Sequence, residues 1–281
     1  MDKLWEVFIK PRKEKLLHFI KSSISFPKSS VTMFHITLKV LRSPFRNERK
    51  ESRMHHSVIS VVIPAYNEEK TIGDVISSTM STMESLGKPY EIIVVDDGSI
   101  DNTRRMATRH KATVLSNGEN RGKGYALRRG FQYAQGDIIV TIDADGTHKP
   151  KEIPDLIHPL FNGVDIVAGS RFLGRGKNFT SRLNRFGNFL FNITIMILTG
   201  KRVTDSQTGF RAFKKGVLQK LDLMSPRYEV ETEITVKGFK NGFVFQEKPI
   251  TCGKREYDVS KLKIFPDGMK ILKTIFKANF T

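Results

Sequence analysis

Cysteine is almost absent from these 281 residues. Cys252 is the only one, which excludes an internal disulfide framework and any multi-cysteine zinc site. Glycine and proline number 21 and 11 and follow no fixed period, so collagen-like and low-complexity classes are excluded. Long apolar runs are missing as well. The longest charge-free, mostly apolar stretch runs from Phe186 to Gly200, 15 residues that include Asn188, Asn192 and Thr194. That is short of the roughly 20 residues a membrane-spanning helix needs. The opening Met-Asp-Lys-Leu-Trp leads into no apolar core with a cleavage site, so no signal peptide is expected. Acids are few beside bases: 29 Asp and Glu against 47 Lys and Arg, a net charge of +18. Such a balance favours a polyanionic partner, whether nucleic acid, anionic headgroups or phosphorylated substrates, and does not choose among them.

What is present supports a packed core. Hydrophobic residues make up 39% and charged residues 27%, and the length suits one large α/β domain or two small ones. Residues 1–56 stand apart. Up to residue 57 there are 13 Lys and Arg against 5 Asp and Glu, with Leu4, Trp5, Phe8, Ile9, Leu16, Leu17, Phe19 and Ile20 at roughly helical spacing. This predicts a basic amphipathic extension that either packs loosely or lies on a membrane surface. From Val58 onward strands and helices alternate. Strands are expected at 58–63, 90–95, 112–115, 137–142 and 164–168, with helices at 68–86, 101–110, 124–135 and 150–161. Continuous apolar strands between helices predict a mostly parallel sheet covered on both faces. In such sheets the binding crevice lies beyond the carboxyl ends of the strands.

Those ends carry the chemistry. Strand one runs into Pro64-Ala-Tyr-Asn-Glu-Glu69, strand two into Asp96-Asp-Gly-Ser99, strand four into Asp143-Ala-Asp-Gly-Thr-His148 and strand five into Gly169-Ser-Arg171. Alternation along a strand points Asp143 and Asp145 to one side, where two hard carboxylates suit Mg²⁺ or Mn²⁺. One of Asp96 and Asp97 is placed to accept hydrogen bonds from a base or ribose, while Asp101 caps the next helix. Asn120-Arg-Gly-Lys-Gly-Tyr-Ala126 has neither the G-x-G-x-x-G spacing nor the P-loop signature. It reads instead as a basic glycine loop bringing Lys123 toward a diphosphate. His55, His56 and His148 show no second cluster at metal spacing and are expected on the surface. Tyr228 to Glu233 is expected to open a helix whose N-terminus its acids suit.

Together these segments resemble glycosyltransferase family 2, and within it the polyprenyl-phosphate sugar synthases such as dolichyl-phosphate mannose and glucose synthases. The resemblance rests on Val61-Val-Ile-Pro-Ala-Tyr-Asn-Glu68, Ile93-Val-Val-Asp-Asp-Gly-Ser99, Arg121-Gly-Lys-Gly124, Ala134-x-Gly-Asp137, Asp143-Ala-Asp145, Gly169-Ser-Arg171 and Asp205-x-Gln-x-Gly-Phe-Arg211. It implies a GT-A, Rossmann-like fold over residues 57–265; beyond the match, the spacing of lysines and apolar residues predicts a C-terminal amphipathic helix at 266–281. It implies that Pro64, Tyr66, Glu68, Lys123 and Asp96 or Asp97 hold the nucleotide, and that Asp143 and Asp145 hold the metal and diphosphate. Arg171 and the segment from Ser181 to Arg185 would meet the acceptor phosphate, and Asp205 would lie close to the reacting sugar. Thr147 stands where some mannose synthases carry Gln as a further metal contact. Asp-Ala-Asp-Gly and Arg-Gly-Lys-Gly lean toward the branch that uses UDP-sugars.

The implied activity is inverting, metal-dependent transfer of one hexose from UDP-glucose, UDP-N-acetylglucosamine or GDP-mannose to dolichyl or polyprenyl phosphate. Such an acceptor is anionic near pH 7, so the site needs cations more than a base. Arg171, Arg182, Arg185 and Arg211 suit that need, because guanidinium grips phosphate with two prongs. Asp205 is the expected base if the acceptor is a hydroxyl. A lipid acceptor also implies an anionic membrane surface. Arg182 and Arg185 precede an apolar run, and Phe265 to Phe280 carries Lys270, Lys273 and Lys277 among apolar residues. With the first 56 residues these make three basic amphipathic segments, which predict peripheral attachment at the cytoplasmic face of a membrane. Lys254, Arg255 and Lys261 lie where a segment could close over phosphates. Three other readings compete: a family 2 transferase acting on a hydroxyl of a glycan or lipid-linked sugar, a nucleotidyltransferase, and a non-catalytic basic protein binding nucleic acid or membrane. Pro64-Ala-Tyr-Asn-Glu68 replaces the glycine-rich basic loop a nucleotidyltransferase wants, and nucleic-acid binding leaves the acids at the strand ends without a purpose.

Overall fold

The computed structural model describes residues 57–174, 181–253 and 264–280. The expected extension at 1–56 and the lysines and arginine at 254–261 lie outside the described residues.

Seven strands form one sheet. β1 (Ile59–Ala65), β2 (Tyr90–Asp96), β3 (Thr113–Ser116) and β4 (Ile138–Thr141) alternate with α1 (Ile72–Leu86), α2 (Thr103–Arg109) and α3 (Lys123–Tyr133). Then follow α4 (Ile153–Phe161), β5 (Ile166–Ser170), α5 (Arg182–Thr199), β6 (Arg211–Lys214), α6 (Lys215–Leu218), α7 (Val230–Lys240), β7 (Phe245–Pro249) and α8 (Ile264–Phe280). The order across the sheet is β3-β2-β1-β4-β6-β5-β7. β6 runs antiparallel to both its neighbours, and the other pairs are parallel. The mostly parallel α/β sheet expected from the apolar runs is what forms.

Alternation along the strands builds two cores. Ile59, Val61 and Ile63 of β1 face α1 and α4, meeting Ile72, Ile76, Met83, Ile153 and Leu156. Val62 points the other way, with Ile93 and Val95 of β2, toward Ala126 and Leu127 of α3 and Val230 and Ile234 of α7. Both faces being covered is why these strands are apolar throughout rather than every second residue.

The chain departs from the sequence reading in two places that shape the site. The first helix begins at Ile72, not at residue 68, because the residues between form a turn closed by Thr71 N and Ile72 N donating to Glu68 O at 3.2 and 3.0 Å. The second departure concerns the two C-terminal amphipathic helices. Ile195 of α5, Val236 of α7 and Ile271, Ile275 and Ala278 of α8 form a third buried cluster. The apolar faces of α5 and α8 are therefore partly internal, and α8 is an integral wall of the domain. Among the described residues no helix is long and apolar enough to cross a membrane.

Candidate active site

Strand polarity gathers the site at one sheet edge. β1, β2 and β4 end there, and Ala65 lies opposite Asp96. β6 starts there, since Arg211 pairs with both Thr141 and Ala168. The segment Asp205–Phe210 thus arrives beside Asp143–Asp145. Thr141 Oγ1 donates to the Gly209 carbonyl at 2.7 Å and fixes that approach.

Side chains stitch the strand-end loops together. Asn67 N donates to Ser99 Oγ at 2.9 Å, and Ile100 N donates to Asn67 Oδ1 at 2.9 Å, which joins the first loop to the second. Thr71 Oγ1 donates to the Ala144 carbonyl at 2.8 Å, which joins the first to the third. Between them lies a cleft of about 770 Å³, lined by Pro64, Tyr66, Glu68, Asp97, Lys123, Asp143 and Asp145 of the expected set. Asp96 is not on its wall. Its carboxylate accepts from Ser99 N at 3.1 Å and faces Ser116. Of the two, Asp97 lines the cleft. It also shapes the wall, accepting from Asn117 Nδ2 at 2.7 Å, Arg121 N at 3.0 Å and Gly122 N at 2.7 Å.

The glycines of the basic loop also serve packing. At Gly122, where φ is +98°, and at Gly124, a Cβ would collide with the Ser225–Pro226 backbone. The glycines thus let the start of α3 press on that backbone. Lys123 is delivered to the centre of the site, 2.6 Å from Asp143 Oδ1 and 2.6 Å from Glu231 Oε1. Burial would lower the lysine pKa and raise that of Asp143, but their mutual attraction prevails, lifting Lys123 and holding Asp143 well below the usual carboxylate range. Burial pushes Glu231 up against the pull of Lys123. Glu231 is the site acid the sequence hid. It was one of several acids suited to a helix N-terminus, yet α7 turns it inward.

Two more expectations change. His148 is 4% exposed, not on the surface. Its ring lies 5.4 Å from that of Phe210, and its backbone bridges to Cys252. Nδ1 stands 3.6 Å from Asp143 Oδ2, and neither ring nitrogen has a hydrogen-bond partner. Burial outweighs the nearby carboxylates and lowers its pKa. Arg211, expected at an acceptor phosphate, is 1% exposed. Its Nε donates to Thr208 O at 2.8 Å, Nη2 to Ser206 O at 2.8 Å and Nη1 to Thr235 Oγ1 at 3.0 Å. It braces the Asp205–Phe210 turn from inside and reaches no ligand.

The remaining arginines stand elsewhere. Arg171 grips Asp205 with Nε to Oδ2 at 2.7 Å and Nη2 to Oδ1 at 2.8 Å. Asp205 is fully buried, so its carboxylate anchors Arg171 rather than facing the cleft. Arg171 and Arg185 both lie over the Phe172 ring, at 5.7 and 5.9 Å from its centroid. Arg182 and Arg185 occupy the first turn of α5, capped by Ser181 Oγ accepting from Asn184 N at 3.2 Å.

Residues 60–222 match the sequence pattern described as Glycosyl transferase family 2. The chain belongs to that family. Among its relatives is a Methanocaldococcus jannaschii protein of uncharacterized activity, 39% identical over 76% of this chain and 89% of that one. A dolichol-phosphate mannosyltransferase of Pyrococcus furiosus is 34% identical over 73% of this chain and 59% of that protein. An undecaprenyl-phosphate 4-deoxy-4-formamido-L-arabinose transferase of an Enterobacter species is 35% identical over 72% of this chain and 62% of its own. The chain thus spans about three fifths of the length of the two relatives with named activities. In structure it resembles glucosyl-3-phosphoglycerate synthase of Mycobacterium tuberculosis, solved with Mn²⁺, UDP and phosphoglyceric acid, at a TM-score of 0.67, 25% identity and 83% and 82% coverage. The fold is therefore GT-A, and the protein is a glycosyltransferase.

The transferase site fits a divalent cation on its own chemistry. Of the charged residues lining the cleft, Glu68, Asp97, Asp143, Asp145 and Asp267 are acids and Lys123, Arg227 and Lys270 are bases, five against three. A doubly charged cation balances the difference. Asp143 and Asp145 offer the hard oxygens that Mg²⁺ and Mn²⁺ take. Among the described residues no three His, Cys, Asp or Glu side chains already converge as a cage. Thr147, at the position in question, turns its hydroxyl and its N–H to Asp145 Oδ1 at 2.7 and 3.0 Å. It orients the carboxylate and takes no separate place.

Proposed function

We propose that this glycosyltransferase moves one hexose, with inversion, from a nucleotide sugar to a polyprenyl phosphate at an anionic membrane surface. The reading is carried by one juxtaposition. Asp143, in the carboxylate-lined cleft that suits a nucleotide diphosphate with its cation, feels the charge of Arg171, and Arg171 shares the Phe172 ring with Arg185. The relatives named for transfer to dolichol phosphate and undecaprenyl phosphate support it.

Tyr66, Glu68 and Asp97 line the end of the cleft for the nucleoside, and Asp143 and Asp145 the end for its diphosphate. A bound Mg²⁺ or Mn²⁺ supplies positive charge to the leaving diphosphate as the sugar–oxygen bond breaks. Lys123 keeps Asp143 ionised and separates it from Glu231. The acceptor oxygen is already anionic, so the chain has no need of a general base. Its task is to bring two anions together, and Arg171, held rigid by Asp205, and Arg185 do so. Two arginines in the first turn of α5 oppose the helix dipole, with no acid there to relieve them. An acceptor phosphate or headgroup supplies the missing anion.

The membrane reading rests on α5. Leu183, Phe186, Phe189, Leu190 and Ile197 share its outer face and are exposed, next to Arg182 and Arg185. Apolar side chains at the interface with arginines at headgroup level make a peripheral docking face.

The test is incorporation of labelled sugar into organic-extractable lipid. UDP-glucose, UDP-N-acetylglucosamine and GDP-mannose are offered in turn with a short-chain polyprenyl phosphate, Mg²⁺ or Mn²⁺, and an Asp145→Ala control. Label from one donor, lost with EDTA and in the variant, supports the reading and names the sugar. Failure with every donor, in protein that still binds nucleotide, sinks the lipid-phosphate acceptor. A hydroxyl acceptor, as phosphoglyceric acid bound to the structural relative suggests, then takes its place.

A further inference from the structure

A buried imidazole with nothing to bond to is costly, on the order of 1–3 kcal/mol for each unsatisfied polar atom. His148 leaves both ring nitrogens in that state. Phe210 lies against the ring, and the backbone that carries it is tied down by the bridge to Cys252 and by Gly253 N donating to the adjoining Thr147 carbonyl at 2.8 Å. In this position the ring makes no hydrogen bond to the protein. Nδ1 points toward Asp143 Oδ2 from 3.6 Å, too far for a hydrogen bond but close to the separation of two neighbouring ligands on one small cation. With bonds of about 2.0–2.2 Å, adjacent donors on one ion stand roughly 3 to 3.5 Å apart.

The two acids that share the site do not take up this nitrogen. Asp143 Oδ1 is engaged by Lys123 and Asp145 Oδ1 by Thr147. Asp143 Oδ2 faces the imidazole. Thr147, one residue before His148, is already occupied in orienting Asp145, whereas the imidazole beside Asp143 has no partner.

We propose that His148 is a protein ligand of the divalent cation beside Asp143, and that its imidazole and the two carboxylates of Asp143 and Asp145 are drawn together only when the cation binds. This rests on the reading that the cleft binds such a cation. It has a consequence for metal choice. An imidazole nitrogen favours transition metals over Mg²⁺, so the enzyme holds Mn²⁺ and Co²⁺ more tightly than Mg²⁺ by more than two carboxylates alone would give. His148→Gln removes the nitrogen ligand while keeping a polar side chain of similar length.

The experiment is pulsed electron paramagnetic resonance on the full chain loaded with Mn²⁺ and UDP, prepared with ¹⁴N- and with ¹⁵N-histidine. A directly bound imidazole gives a nitrogen modulation that changes with the isotope, in wild-type protein and without any variant. Mn²⁺ titration followed by the loss of the free-ion signal then compares wild type with His148→Gln, whose thermal melt reports its folding. The expected result is an isotope-dependent coupling and, in the variant, affinity for Mn²⁺ weaker by roughly tenfold or more. Mn²⁺ bound without a histidine nitrogen coupling overturns the proposal and leaves the cation reading standing, whatever the variant does to affinity. No Mn²⁺ binding at all, with or without UDP, overturns both.

Discussion

Arg171 and Asp205 form a two-pronged ion pair, 2.7 and 2.8 Å long, with the carboxylate fully enclosed and the arginine backbone N–H donating to it at 3.1 Å. The aspartate opening Asp205-x-Gln-x-Gly-Phe-Arg211 thus holds the arginine that follows β5. Arg171→Lys and Asp205→Asn should raise the acceptor KM by a similar factor, on the order of tenfold, since a lysine cannot make the two-pronged contact. The double variant should be little worse than either single one. Steady-state kinetics with varied acceptor checks this. Additive losses, or an Asp205→Asn effect on kcat alone, would falsify the coupling and return Asp205 to the role of a base.

Lys123 sits between two carboxylates, one of them on α7. Lys123→Met leaves Glu231 buried without its counter-charge, and the cost should be about 3–5 kcal/mol. Adding Glu231→Gln removes the stranded charge and should recover most of that stability. Activity should not return, because Asp143 has lost the cation that keeps it ionised. Chemical denaturation of the three proteins decides the matter. A Lys123→Met protein as stable as wild type speaks against the pair.

Gly209 carries the site by what it lacks. A Cβ there would lie 2.6 Å from both carboxylate oxygens of Asp143 and 2.6 Å from Lys123 Nζ. All three are tips of side chains and can move aside, so Gly209→Ala should fold with a melting temperature close to wild type. Transfer should fall by about two orders of magnitude, because small displacements of positioned groups cost that much. Donor KM and kcat measured beside a melting curve test this, and a strongly destabilised variant with normal kcat would contradict it.

The outer face of α5 predicts vesicle binding. Phe186→Glu with Phe189→Glu should cut cosedimentation with anionic liposomes by at least tenfold, since each buried aromatic contributes about 1.5–3 kcal/mol. Arg182→Ala with Arg185→Ala should cost about 1 kcal/mol per charge and only on anionic vesicles. Turnover with a water-soluble short-chain acceptor should survive the phenylalanine changes. Unchanged sedimentation of the double-glutamate variant excludes this face.

Most of the sheet was legible because β1, β2 and β4 are buried on both faces, and that burial writes itself as unbroken apolar runs ending in acids. β6 was not legible. It is four residues long with only two apolar side chains, and nothing local says that it slips antiparallel between β4 and β5. The same gap hid the fate of Arg211. An arginine in a motif reads as a ligand for phosphate, and only the topology reveals that Thr208, Ser206 and Thr235 surround it. Asp143 and Asp145 could be read from their spacing alone. Their partners could not, because Lys123, Glu231 and His148 come from three separate loops and helices, and the contact is made by the fold. His148 in particular carries no sequence signal of burial, since its neighbours Thr147 and Lys149 are polar.

The excess of negative charge in the cleft lies inside a chain whose total is +18. The two signs act over different distances. Far from the surface the positive total prevails, and its reach is set by dissolved ions, about 8 Å at physiological ionic strength. Within the cleft the carboxylates are a bond or two from whatever they hold, and screening hardly enters. Added salt should therefore separate recruitment from retention: capture of the anionic donor and acceptor slows as salt rises, while the hold on a cation already seated stays nearly constant.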